Sequence, residues 1–290
     1  MSLSTSGSSS VSTKGIKADN EILIAGGTIT VQSTDDAIHA NNDVALENGA
    51  SGLGNVTVSD GRLTLTSGDD GIHGDGTVTV DGGTIDVLSS YEGIEGNLVY
   101  FNGGTVYVYA TDDGVNAKSG LSTPLIQVND GYLQVTTRSG DTDGIDSNGN
   151  YVQTGGFVLV LGGSSQGSMA GSVDVDGSVT VTGGTIVALG GICETPSNGS
   201  VNTYVSSGTS FSAGSYVLKD SDGTEVLTFT LTGSYSSCWI ASSALALGKT
   251  YTLYKDGSQV LSWTQSSSTE GSSGYGSWGG GPGGHGGGRR

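Results

Sequence analysis

The chain predicts an all-β fold: a single-stranded parallel β-helix of about seven coils, closed by a small C-terminal antiparallel β cap. Three observations carry this. A short motif, written acid, small residue, apolar residue, polar residue, small residue, Asn or Asp, recurs seven times in 290 residues. Its apolar members stand at positions 16, 38, 72, 94, 115, 145 and 173, a basic step of 21–22 residues with insertions in three steps. Periods in the twenties belong to solenoids, and the Leu-x-x-Leu-x-Leu pattern of leucine-rich repeats is absent. Each repeat carries three short extended runs separated by Gly, Asn and Asp turns, and three strands per repeat stacked at about 4.8 Å make a β-helix coil. Finally, apolar residues are only 34% of the chain but alternate with Thr, Ser and Asp. No run offers an amphipathic helix or a membrane span.

Taken in order, residues 1–13 are Ser-rich and lack an apolar run, so they are expected to be disordered or an engineered start, with no visible signal peptide. The β-helix is expected over 14–190. It begins at Lys14-Gly15-Ile16 and continues through Asp36-Ala37-Ile38, Asp70-Gly71-Ile72, Glu92-Gly93-Ile94, Asp113-Gly114-Val115 and Asp143-Gly144-Ile145, ending in the degraded Ser172-Val173-Asp174. In the strand after each Gly-Gly, stacking buries Ile29/Val31, Leu63/Leu65, Ile85/Val87, Val106/Val108, Leu133/Val135, Val158/Val160 and Ile186. The outward columns turn apolar toward the C-terminus, at Leu159, Leu161, Val187 and Leu189, and such a patch is usually covered. The expected cover is 191–265, which drops the motif but keeps strand alternation, with hairpin dipeptides Asp222-Gly223 and Asp256-Gly257. Residues 266–290 are Gly/Ser-rich and read as a flexible tail.

A net charge of −18 with only 10 basic residues argues against nucleic acid and anionic membranes, which need clustered Lys and Arg. Cys193 and Cys238 have no metal-ligand spacing; they form either one disulfide or two buried thiols.

The acids are the strongest chemical signal. Asp35, Asp36, Asp69, Asp70, Glu92, Asp112, Asp113, Asp141 and Asp143 precede the motif's apolar residue, and Glu95 and Asp146 follow it on the outer face. Stacking places carboxylates roughly 5 Å apart, where two unit charges repel by roughly 3 kcal/mol at an effective dielectric of about 20. Hard oxygen donors in loops suit Ca²⁺, with Asn97, Asn116 and carbonyls completing the shell; the simpler alternative is solvated Asx turns. Tyr91, Tyr100, Tyr107, Tyr109 and Tyr132 are candidate sugar platforms, or packing under a loop or the cap. Lys118 and Arg138 are the basic residues near the acidic column. Either could serve as a sugar contact or, in a Ca²⁺-dependent lyase, as the base that takes the α-proton; a salt bridge to the column is the plainer account. His39 and His73 occupy equivalent positions and should stack.

With these motifs assembled, the chain resembles a bacterial family of calcium-bound carbohydrate-binding β-helix proteins from cellulose-degrading clostridia. The repeated Asp-Asp-Gly-Ile/Val motif, the Gly-Gly-Thr-Ile/Val strand starts and the pattern Tyr216-Val217-Leu218-Lys219-Asp220 followed by Gly248-Lys249-Thr250-Tyr251 carry the likeness over about residues 14–258. The resemblance implies a right-handed helix similar to pectate lyases, bound Ca²⁺, and binding of cellulosic or pectic polymers of plant cell walls without cleavage being implied. It also implies that Asp35, Asp36, Asp69, Asp70, Glu92, Asp112, Asp113, Asp143 and Asp146 ligate calcium. Because the first and last copies lack the acid, calcium is expected only on the middle coils. The expected protein is extracellular or on the bacterial cell surface, a monomer, and a binder rather than an enzyme; a pectate lyase-like enzyme and a non-binding surface spacer are the alternatives.

Overall fold

The computed structural model describes residues 1–7, 11–41, 54–138, 140, 142–163, 171–197 and 199–272. Every element among them is a strand, and most pairings are parallel. The repeat explains the pairing: each run pairs in register with its counterpart in the next repeat, producing three parallel ladders.

The first ladder holds the motif. Ile16, Ile38, Ile72, Ile94, Val115, Ile145 and Val173 are successive register partners, and from Ile38 onward each is fully buried. The second aligns Ile22, Val56, Val78, Val99, Ile126, Tyr151 and Val179. The third aligns Ile29, Leu63, Ile85, Val106, Leu133, Val158 and Ile186. The inward residues of all three meet in one core. Two glycine positions make the corners possible. The second Gly of the Gly-Gly that opens a third-ladder strand adopts a positive φ, 80° at Gly83 and 79° at Gly104, which L side chains avoid. The motif Gly faces inward, and a Cβ on Gly93 would come within 2.2 Å of Val108 Cγ1 and of the Gly114 carbonyl oxygen.

The stack ends in antiparallel structure. Tyr235–Ser242 pairs antiparallel with Thr185–Leu189 and with Thr203–Phe211, placing fully buried Trp239 against the end of the main core. Gly214–Asp220, Glu225–Leu231, Thr250–Lys255 and Ser258–Thr264 form a separate four-stranded antiparallel sheet. Its Tyr216, Leu218, Leu227, Phe229 and Tyr251 join Leu159, Leu161, Val187 and Leu189 in a second core, so the apolar outer columns are covered by this sheet. At Asp256-Gly257 both residues take positive φ, 48° and 81°, matching the twist of a two-residue hairpin loop.

Three expectations are corrected. Part of the N-terminal stretch is ordered, because Ser2–Ser4 adds in parallel to the free edge at Thr30–Gln32. Part of the tail is ordered for the same reason. Thr269–Ser272 pairs with Thr203–Ser206, and Gln265 Nε2 donates to the Thr203 carbonyl at 3.1 Å; residues 273–290 lie outside the described residues. Glu95 is not on an open face: it is buried, held between neighbouring side chains of its ladder. The two cysteines do not form a disulfide; Cys238 is buried in the second core and Cys193 is half-buried.

Candidate functional site: an acidic edge and an aromatic face

The acidic edge grows from the first ladder. Parallel register makes one column of Lys17, His39, His73, Glu95, Asn116, Asp146 and Asp174. Backbone bonds from Gly15, Ala37, Gly71, Gly93 and Gly114 to the next repeat stack a second column of Lys14, Asp36, Asp70, Glu92, Asp113 and Asp143 beside it. Some of these acids do the turn's work with one oxygen. Asp36 Oδ1 accepts the Asp70 N–H at 3.0 Å, Asp113 Oδ1 the Asp143 N–H at 2.8 Å, and Asp143 Oδ1 the Gly171 N–H at 2.5 Å. The other oxygen remains for a cation, and the two ends of the edge differ in whether the protein supplies one.

At the N-terminal end the protein carries its own. Lys14 Nζ lies 2.5 Å from Asp36 Oδ2 and 3.2 Å from Asp35 Oδ1, and His39 Nδ1 meets the same Asp36 oxygen. Burial opposes ionisation of Asp36, but the bonds from His39 and Lys14 outweigh it and hold the carboxyl well below its usual range. His73 Nδ1 lies 2.6 Å from Asp70 Oδ2 and 2.9 Å from Glu95 Oε1, and its Nε2 lies 3.1 Å from Asp75 Oδ1. Burial disfavours the imidazolium, yet these three carboxylates push its pKa up to about 11. Lys118 pairs with Glu95. Glu92 is pushed up by burial and by the bond and charge of Glu95, while His73 holds Glu95 low against its burial. The rings of His39 and His73 stack at 4.3 Å, 11° from parallel. Calcium takes oxygen ligands, so a cluster centred on an imidazolium does not fit it. Asp69 is exposed beside Asp35 and Asp36.

At the C-terminal end no Lys, Arg or His pairs with these acids among the described residues. Asp113, Asp143 and Asp146 have no ion pair among the described residues. Burial and neighbouring carboxylates raise Asp113 to about 6 and Asp143 and Asp146 to about 8. Burial and Asp174 also raise Glu194 to about 7. Asn116 gives a second, independent sign. It is buried, and its Nδ2 donates to Glu92 and Glu95 at 3.2 and 3.1 Å. Its Oδ1 is thereby left toward the following strand, where Asp146 is its register partner, and has no hydrogen-bond partner. Flipping the amide would set that oxygen against two carboxylates. A buried acceptor among carboxylates suits a hard divalent cation, so the donor set here fits Ca²⁺. Asp174 extends the edge past the middle repeats, a role foreshadowed by its alignment with Asp146; Glu194 lies beyond the last motif, where no sequence signal marks it. Asp112 lies close to Asp113 and raises its pKa. Asp141 lies outside the described residues.

The aromatic face belongs to the third ladder. Tyr107 and Tyr109 are each 41% exposed and point out of one strand. Tyr132 is 5.6 Å from Tyr107 and stacks at 5.7 Å on Phe157, which was missed because it directly follows a Gly-Gly where other repeats carry Thr. Leu88 and Tyr91 are also exposed. Tyr91 bonds Asp112, which together with partial burial raises its hydroxyl to about 12. Tyr100 is on the second ladder, paired with Thr79 and Gln127, and does not join this face. Arg138 is exposed, and no helix among the described residues is long and apolar enough to cross a membrane.

Neither a curated protein nor a solved structure matches the chain significantly. Residues 2–54 and 91–230, more than half of the chain, match the model of a family described as carbohydrate-binding domain-containing protein. The chain with this acidic edge and aromatic face therefore belongs to the carbohydrate-binding domain-containing protein family.

Proposed function

We propose that the protein is a non-catalytic polysaccharide-binding module, extracellular or on the cell surface, built as a right-handed parallel β-helix with Ca²⁺ on the C-terminal half of its acidic edge. The observation that carries the reading is the outward strip of exposed Tyr107 and Tyr109 with half-buried Tyr132 beside them, in a chain of a carbohydrate-binding family. Flat aromatic faces desolvate the apolar faces of sugar rings while hydroxyls at their edges bond the polar rim. The ring spacing of 5.6 and 5.7 Å across adjacent strands follows from the strand spacing and suits an extended glycan, cellulosic or pectic, crossing the strands.

Asp113, Asp143, Asp146 and the Asn116 oxygen would hold the ion, with Asp174 extending the set. The ion would neutralise the stacked carboxylates, and with a polyanionic glycan it would also bridge to uronate groups that a surface of net charge −18 would otherwise repel. Lys118 is poorly placed to act as a lyase base, because Glu95 holds it and raises its pKa against burial, the opposite of what a base needs.

The test is binding to cellulose and to polygalacturonate, with calcium and then with chelator, while monitoring unsaturated uronate. Calcium-dependent retention on polygalacturonate without product supports the reading. Accumulating product would replace it with the lyase, and no affinity for either polymer would leave a structural spacer.

A further inference from the structure

We propose that the tyrosine strip takes a single glycan chain whose successive sugar rings are turned relative to one another, and rejects the planar face of a crystalline polysaccharide. This rests on the polysaccharide-binding reading and narrows its ligand. A planar surface needs aromatic platforms lying in one plane, since a ring tilted out of that plane offers only its edge and covers little apolar area. The strip has no such common plane. Tyr107 and Tyr132 are 5.6 Å apart with their rings inclined by 52°, whereas Tyr132 and Phe157 lie 5° from parallel at 5.7 Å.

Register sets the tilt. Thr105–Ala110, Tyr132–Thr137 and Phe157–Leu161 pair without a shift. Tyr132 stands between Thr105 and Phe157, so it shares a column with Phe157 and stacks on it. Tyr107 stands between Asp86 and Gln134, one column over, and meets Tyr132 only on the diagonal. Diagonal neighbours are within reach of aromatic side chains, and tilted ring contacts are favourable. Tyr132 is also held in its plane. Its hydroxyl donates to Gln134 Oε1 at 2.9 Å, one ring face lies against Phe157, and Phe157 packs against the second core beneath the terminal sheet. Turning Tyr132 parallel to Tyr107 would break both contacts. A chain passing from Tyr107 to Tyr132 must therefore turn its own rings between them, which a separate chain can do and a chain locked in a crystal face cannot. Half-buried Gln134 and Thr136, on the same outward side as Tyr132, supply amide and hydroxyl groups for the sugar rim.

The experiment compares, in excess Ca²⁺, retention on microcrystalline and on acid-swollen amorphous cellulose with calorimetric titration of two soluble chains, cellohexaose and a galacturonate hexamer. Saturable binding of at least one soluble chain is expected, with little protein on microcrystalline cellulose. If cellohexaose is the chain bound, the amorphous form should retain about tenfold more protein than the crystalline one, the worth of one aromatic platform. Phe157→Thr, which gives this position the residue type of Thr105 and Thr185, weakens the soluble chain about three- to tenfold by releasing Tyr132. Phe157→Tyr keeps the stacked ring and recovers the affinity, with the Tm of all three proteins followed as the control for folding. Firm retention on microcrystalline cellulose, matching the amorphous form, would overturn this proposal and leave the polysaccharide-binding reading standing. No binding to any of the four would overturn both. Unchanged soluble-chain affinity in a folded Phe157→Thr protein would also overturn the proposal, because the fixed tilt of Tyr132 would then have no part in binding.

Discussion

Asp146→Asn should stabilise the calcium-free protein at pH 8 and sharply reduce its response to calcium. In the folded chain Asp146 is raised to about 8 from an ordinary 3.8, first by burial and then by Asp113, Asp174 and their neighbours. Between pH 5 and pH 8 the unfolded chain carries this carboxylate ionised while the folded chain keeps its proton, so stability falls as pH rises, by about 1.4 kcal/mol per pH unit. A shift of about four units sets a ceiling of about 6 kcal/mol. Asp113 and Asp143 share the same few protons with it, which brings the expected gain from the amide to roughly 2–3 kcal/mol. In a domain this size that is a rise in Tm of roughly 4–12 °C. The assay is thermal denaturation of both proteins at pH 5 and pH 8, with chelator and with calcium. With chelator, the parent should melt lower at pH 8 than at pH 5 and the variant should lose much of that difference. With calcium at a hundred times its Kd, the parent at pH 8 should regain about 2.7 kcal/mol and the variant much less. A chelated parent whose Tm holds steady or climbs from pH 5 to pH 8 would refute the reasoning, because none of the shifts on this edge acts in the opposite direction within that window.

Tyr107→Ala and Tyr109→Ala should each weaken glycan affinity by about 1 kcal/mol, roughly fivefold, with Tm unchanged, as measured by affinity electrophoresis; equal retention of the double variant would remove the face from the binding site. Gly93→Ala should cost about 1–3 kcal/mol in urea denaturation, because its methyl group meets Val108 and the Gly114 carbonyl at 2.2 Å. Trp239→Ala should cost about 3–5 kcal/mol, since the ring is fully buried at the end of the main core; a loss under 1 kcal/mol would mean that the stack does not need its plug.

The ladders were legible because the motif repeats: once the step of 21–22 residues is known, every inward residue follows from parallel stacking. The covering of Leu159, Leu161, Val187 and Leu189 was legible for a similar reason, as an apolar patch at one end of an otherwise polar column. The charge pattern was only half legible. The acids announce themselves in sequence, but their partners arrive through register: Lys14 reaches Asp36 from the preceding repeat, and Lys118 reaches Glu95 from the following one. Thr269–Ser272 was hidden for another reason, since a polar segment can be ordered by backbone pairing to an available edge. Tyr100 was grouped with the other tyrosines because alternation tells inward from outward but does not tell one side of the stack from another.

The register of the ladders also bears on how such a chain can change length. Because Ile72, Ile94 and Val115 are interchangeable neighbours, removing one whole repeat from the middle lets the flanking strands meet partners of the same kind, and adding one does the same. The family match itself pauses between residues 54 and 91, a stretch that fills rungs of this sort. The end does not share that freedom. Thr185–Leu189 must receive Tyr235–Ser242 in antiparallel pairing while its outer side chains seat the terminal sheet. The molecule thus behaves as an extensible column with a fixed capital, so gain or loss of repeats would vary the length of the ladders while leaving their terminus intact.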